Sequence, residues 1–306
     1  MSEGPLSRVS ILDLTDERGI YGAKLLADLG ANVIRPEPLD GDPLRTRGPF
    51  IQSTDQEKQS IWHAYFCSSR RSIALDLDSA EDSEQFELLL TEADIALTCP
   101  GAFGVERSKE ILKNKDQEEL IFIDTCSFRP DCEWADYIAP DIVAGALGGQ
   151  IATTGDADTA PLKNFGELNF MVSGAYTAIS ALSALYNRRE TGSGQHVEVS
   201  VHECIASCLE HVFMFYWYGE AMEHPDGRVL PRRGSLHWSN AYDVMNAETG
   251  SIMVTPTPDF DKQLTWMIEE DIHDDLIDPQ YRWKPCLLYT SPSPRDLSTS
   301  RMPSSA

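Results

Sequence analysis

Residues 9–37, VSILDLTDERGIYGAKLLADLGANVIRPE, decide the fold. The run 9–14 (VSILDL) is apolar almost throughout, as a strand buried on both faces must be. Residues 20–29 bring Leu25, Leu26 and Leu29 to one side of a helix, and Gly30 supplies its stop. A second short strand follows at 32–35. Working outward, strands are expected at 73–77 (IALDL), 95–97 and 120–124 (LIFID), with a helix at about 82–93. Strands alternating with helices build βαβ units around a largely parallel sheet, so the fold class is α/β. Ligands of such sheets sit at the carboxyl ends of the strands. Further on, the small-residue run 141–149 (DIVAGALGG) and the Ala/Ser-rich run 168–186 predict closely packed helices. A turn at 188–195 (RRETGSGQ), a strand at 196–200 and a helix reaching Tyr218 come next. A Pro/Gly/Arg-rich connection covers 226–240. Segments 242–246 and 251–255 flank AETG as a hairpin, and one more helix covers 261–277.

Composition narrows the function. The chain has 306 residues, 42% hydrophobic and 24% charged, which is a globular balance with enough length for a full core. The net charge of −24 and a pI of about 4.5 oppose binding to nucleic acid or an anionic membrane, since both need a basic face. The start, MSEGPLSRVS, has no apolar signal region, and residues 204–218 are too short and polar to span a bilayer. Seven scattered cysteines, with no CxxC pair, suit reduced thiols in the cytoplasm, where the protein is expected. Cys204 and Cys208, with His202 and His211 nearby, read as a buried helix face before a metal site, and no metal is expected. The last 21 residues hold 11 Ser, Thr and Pro and no periodicity. They resemble translated sequencing-adaptor read-through, so residues 286–306 are expected to be a non-native or disordered tail.

No phosphate-cradling glycine motif is present: GDPLRTRGPF is not GxGxxG, and GxxxxGK[ST], HExxH and GxSxG are missing. The arginines carry more. Arg18 follows the first strand, Arg45 and Arg47 lie in a Pro/Gly loop, and Arg70 and Arg71 precede IALDL. Guanidinium forks match phosphates bidentately. They pair equally well with the abundant Asp and Glu, so two readings stand side by side here.

The run SILDLTDERGIYGAKLLADLGANVIRPEPLDGDPLRTRGP (10–49) resembles the amino-terminal signature of the class III coenzyme A transferases. So do RRSIALDL (70–77), CPGAFG (99–104), PDIVAGALGGQIATTG (140–155) and SGAYTAISALSALYNRRETGSGQHVEVSVHE (173–203), in the family's order. The likeness covers about residues 8–285. It implies a Rossmann-like large domain at 1–225, the beginning of a smaller domain at 226–285, and an interlocked homodimer. It also implies coenzyme A or an acyl-CoA as substrate, held near Arg18, Gly19, Arg45, Arg70, Arg71, Pro100 and Gly101. Gly19 would let the backbone approach the ligand. The implied reaction moves coenzyme A from an acyl-CoA donor to a carboxylic acid acceptor.

Two departures bear on that reaction. The transferases use an aspartate before the small-residue helix as nucleophile, and that position falls on Phe170, with Asn169 beside it. Glu167 is the nearest carboxylate and the local candidate nucleophile; as a bland alternative it is a solvated loop residue. The racemase branch uses a histidine before the central Asp, where this chain has Pro140 before Asp141. Asp141 is expected to cap the helix that follows it. A CoA-binding homologue without catalysis, as a regulatory or partner subunit, and an acyl-CoA isomerase or lyase are the alternative functions.

Overall fold

The computed structural model describes residues 4–52, 58–114, 117–156, 158–218, 232, 243–254, 260–273 and 277–278. It divides into two compact units, one of Met1–Ala152 with Leu162–Glu210, the other of Thr153–Pro161 with His211–Ala306. Residues 286–306 lie outside the described residues, as does most of the connection at 226–240.

The first unit is built on β1 (Ser10–Leu14), α1 (Ile20–Asp28), β2 (Asn32–Glu37), a hairpin of β3 (Phe50–Gln52) and β4 (Lys58–Ser60), α2 (Ile61–Phe66) and β5 (Arg71–Ala74). It continues with α3 (Ala80–Thr91), β6 (Ile95–Thr98), α4 (Val105–Asn114), β7 (Ile121–Cys126), α5 (Asp141–Leu147), α6 (Leu168–Thr191), β8 (His196–Ser200) and α7 (Val201–Ser207). Six strands form one parallel sheet in the order β5-β2-β1-β6-β7-β8. Counted within the sheet, that is 3-2-1-4-5-6, the Rossmann order, with its switch point between β1 and β6.

Burial explains the apolar runs. Alternate residues of β1 feed opposite faces: Ile11 packs with Leu26, Val33, Ile95 and Ala181, and Leu12 packs with Phe86, Leu90 and Ala96. Helices α1 and α6 cover the first face and touch where two glycines meet. A Cβ on Gly22 would stand 2.6 Å from the Gly174 carbonyl oxygen, and one on Gly174 would stand 2.8 Å from the Gly22 nitrogen. By length and composition α6 could cross a membrane. In this fold it lies against α1, α5, α7 and β7, with Ser173, Thr177 and Ala181 fully buried.

The α/β class stands, and several boundaries move. The strand expected at 73–77 is Arg71–Ala74, because its partner β2 ends at Glu37, opposite Ala74, and a turn organised by Asp76 follows. The helix expected at 82–93 starts two residues earlier, where the Ser79 hydroxyl accepts the Asp82 N–H. The helix expected to run to Tyr218 breaks after Ser207, where Cys208 and Leu209 make tighter turn hydrogen bonds. The hairpin β3/β4, α2 and α4 were not expected.

The second unit contains most of α8 (Glu210–Tyr218), an antiparallel hairpin of β9 (Asp243–Ala247) and β10 (Gly250–Val254), and α9 (Phe260–Glu269). The hairpin matches its sequence reading. Helix α9 stops short of 277 because Asp271 takes a left-handed conformation (φ 56°) and Ile272 donates back to the Met267 carbonyl.

Candidate functional site

The carboxyl ends of β1, β2 and β6 surround a cleft of about 220 Å³. Its walls are the β1–α1 loop (Thr15, Asp16, Glu17), the end of β2 with the turn after it (Arg35, Glu37, Asp42), and the β6–α4 loop (Gly101, Ala102, Phe103). This is the switch point of the sheet, where strands diverge to opposite sides and leave a crevice. Gly101 adopts φ +86°, a left-handed conformation that lets the loop turn at the cleft mouth. Pro100 turns its carbonyl to the Arg18 guanidinium at 2.7 Å. Arg18, Gly19, Pro100 and Gly101 therefore gather at one rim. Gly19 is small for a packing reason: a Cβ there would come within 2.9 Å of the Thr15 methyl and 3.1 Å of the Cys99 sulfur.

Carboxylates pair with most of the guanidinium groups singled out in the sequence. Arg18 forks onto Asp16, with Nε at 2.9 and 3.0 Å from the two oxygens. Arg45 forks onto Glu37 at 3.0 Å through both Nε and Nη2. Arg70 is only 2% exposed and bonds Asp13, which is wholly buried. Arg35 completes the network, with Nη1 at 3.2 Å from Asp13 and Nε at 2.6 Å from Asp42. Burial pushes the Asp13 carboxyl up, but Arg35, Arg70 and the Thr15 donors outweigh it and hold the group below its usual range. Asp42 is likewise pushed up by burial and pulled well below normal by His63 and Arg35. Arg70 thus ties the chain just before β5 to the carboxyl half of β1, so the guanidinium expected to meet a phosphate is engaged by a buried carboxylate. Arg71 also departs from expectation. It opens β5 and donates to Asn32, the first residue of β2, at the amino-terminal edge away from the cleft.

Glu167 stands just ahead of α6 and is not a solvated loop residue. Its Oε1 accepts from Arg47 Nη2, and its Oε2 accepts from Trp62 Nε1 at 3.1 Å. The Arg47 guanidinium lies over the Trp62 ring at 4.7 Å and reaches Glu17, on the cleft wall, at 3.6 Å. Burial raises the Glu167 carboxyl above the ordinary value; Arg47 and Trp62 oppose this, and the nearby Glu17 and Asp141 add to it. The first turns of α6 also seat on the cleft loop, since Ser173 donates to the Arg18 carbonyl at 2.7 Å. A half-buried carboxylate with a raised proton affinity, held in two directions and linked to the cleft wall through Arg47 and Glu17, can act as a nucleophile or a proton carrier.

Phe170 is 4% exposed and packs with Ala144, Val201 and Ile205. Asp141 does cap a helix, but not its own. Its Oδ1 accepts the Phe170 N–H at 3.1 Å and its Oδ2 the Asn169 side-chain amide at 3.0 Å, so it closes the start of α6 from α5. Lys163 binds the same Asp141 oxygen at 3.0 Å and also donates to the Gly166 carbonyl, fixing the loop before Glu167. Trp62, Glu17 and Lys163 had no signal in the sequence. Each contributes through a partner distant in the chain.

The chain matches the family described as CoA-transferase family III over residues 6–281. It is 32% identical, over 69% of its length, to succinyl-CoA:(R)-benzylsuccinate CoA-transferase subunit BbsE of Thauera aromatica, and covers 52% of that protein. It is 28% identical, over 84% of its length, to succinyl-CoA:mesaconate CoA-transferase of Haloarcula hispanica, and covers 65% of that protein. The chain therefore spans between half and two-thirds of these relatives. A CAIB/BAIF family protein from Brucella suis superimposes with a TM-score of 0.74 at 25% identity, covering 92% of this chain and 73% of that one. With the family pattern running through nearly the whole sequence and the same fold in a solved relative, this chain belongs to CoA-transferase family III.

Proposed function

We propose that the protein transfers coenzyme A from an acyl-CoA donor to a carboxylic acid acceptor, with Glu167 as its nucleophile. The observation that carries this reading is the Glu167 carboxylate, fixed by Arg47 and Trp62 at the head of α6 and linked through Arg47 to the cleft. One Glu167 oxygen attacks the thioester carbonyl, the C–S bond breaks, and CoA leaves as thiolate from a mixed anhydride. The thiolate then attacks the glutamyl carbonyl, releasing the donor acid and leaving a glutamyl-CoA thioester. The acceptor carboxylate repeats the two steps in reverse, regenerating Glu167 and forming the new acyl-CoA. Each step exchanges acyl derivatives of similar energy, which is what a carboxylate nucleophile offers. Arg18, with the Pro100–Gly101 turn, holds the CoA phosphates by exchanging Asp16 for the ligand. Arg45 serves likewise from Glu37. The reading carries with it a cytoplasmic homodimer; the acyl group is left open.

The test is CoA exchange between an acyl-CoA and free acids, with peptide mass spectrometry for an acyl or CoA adduct on Glu167. Glu167→Gln should lose the adduct and the exchange together. Exchange without any adduct on Glu167 would remove its role. A second reading, a CoA-binding subunit without catalysis, is favoured by Phe170, a buried ring at the position where the resemblance, counted without gaps, puts the family's nucleophile. Acyl-CoA affinity with no turnover would select it.

A further inference from the structure

Beside the cleft, Asp42, His63 and Cys67 bring one carboxylate oxygen, one ring nitrogen and one sulfur within 4.8 Å of one another. The geometry points to a binding site for a thiophilic divalent cation of the zinc class, ligated by Asp42, His63 and Cys67 and completed by water. His63 lies on α2 and Cys67 directly follows it, one turn apart, so both side chains project from one face of that turn. Ser60 caps the turn by accepting the His63 N–H at 2.9 Å, and Cys67 N–H closes it on the His63 carbonyl at 2.8 Å. Asp42 comes from the turn after β2, already aligned: its Oδ1 accepts the Leu44 N–H at 2.9 Å, and its Oδ2 lies 3.5 Å from His63 Nε2.

The donor set is one that zinc accepts: sulfur, imidazole and carboxylate, with bonds of about 2.0–2.3 Å and therefore donors about 3.5 Å apart. Closing from a spacing of up to 4.8 Å to about 3.5 Å needs about 1.3 Å of relative side-chain motion. Arg35, on Asp42 at 2.6 Å, is the outer group that holds the carboxylate, and Asp13 is shared between Arg35 and Arg70. Cation binding displaces one proton, from the Cys67 thiol to solvent, so the local charge rises by one beside Glu37, which accepts the Asp42 N–H at 2.8 Å. A bound cation favours the thiolate form of a cysteine that ligates it. Asp42 also lines the cleft, which provides the entry path. A cation here would pin α2, and with it Trp62, to the cleft wall.

Cobalt(II) is the probe, added to the reduced full chain, because thiolate ligation gives a near-ultraviolet sulfur-to-cobalt charge-transfer band. The expected result is that band at one equivalent, its bleaching by zinc, and its loss in Cys67→Ser and in His63→Gln. Glu167→Gln should keep it, so the result stands apart from the catalytic reading. Retention of native circular dichroism by the variants excludes unfolding as the cause. No thiolate band in the parent chain, or a band that survives Cys67→Ser, overturns the proposal.

Discussion

Replacing Arg70 by methionine separates a structural arginine from a ligand-binding one. The side chain is 2% exposed and its partner Asp13 is 0% exposed, so the substitution leaves a carboxylate in the interior with less compensation. Removing one member of a buried pair costs about 3–5 kcal/mol. Arg35 Nη1 stays 3.2 Å from Asp13, and the Thr15 N–H and hydroxyl stay at 3.1 and 2.6 Å, which places the cost near the lower end, about 3 kcal/mol. With a urea slope of about 3 kcal/mol/M, as for a large α/β unit, the midpoint falls by about 1 M. The assay is urea unfolding by circular dichroism, with Arg71→Met as the exposed control, expected within about 0.5 kcal/mol of the parent. The pH dependence adds a second check. With Arg70 gone, burial pushes the Asp13 carboxyl up with less opposition, so the gap between variant and parent should shrink as the pH falls and Asp13 protonates in both. A variant as stable as the parent that had lost its CoA affinity would refute the reasoning and return Arg70 to the phosphates.

Gly174→Ala should destabilise by about 1–3 kcal/mol through overpacking, because the new Cβ meets Tyr21 at 2.7 Å and the Gly22 nitrogen at 2.8 Å. Set against the roughly 1 kcal/mol that alanine contributes to a helix interior, the net loss is about 0–2 kcal/mol, and a higher melting temperature would contradict the close approach of α1 and α6. Asp13 and Asp42 sit below their usual range in the fold, so their ionised forms stabilise it above the unfolded value near 3.9. Stability should hold at neutral pH and fall as the pH drops below about 4, followed as the urea midpoint against pH; a flat profile there would reject the network. Asp141→Ala removes the acceptor at the head of α6 and should cost about 1–2 kcal/mol. Hydrogen exchange at the Phe170 amide should rise with it, whereas unchanged exchange would show that Asp141 caps nothing.

The sequence by itself determined the α/β class, the parallel sheet and most of its strands. A strand buried on both faces is mainly apolar, and β1, β6 and β7 carry that signature within four to six consecutive residues despite a buried polar residue in each. It missed α2, whose six residues (IWHAYF) are too few to show a helical period, and α4, where polar residues dominate VERSKEILKN. Arg18 could be placed after the first strand from the sequence, and its grouping with Gly19, Pro100 and Gly101 came from the family resemblance; the sheet order is what brings those loops to one rim. What each charged group meets belonged to the tertiary structure alone. Arg70 and Asp13 are 57 positions apart, and Arg47 and Glu167 are 120 apart. Charge pairing depends on distances of a few ångströms and on local burial, which sequence spacing does not encode at such separations. An arginine paired at the surface and one locked onto a buried aspartate look the same in the chain, and only the folded sheet tells them apart.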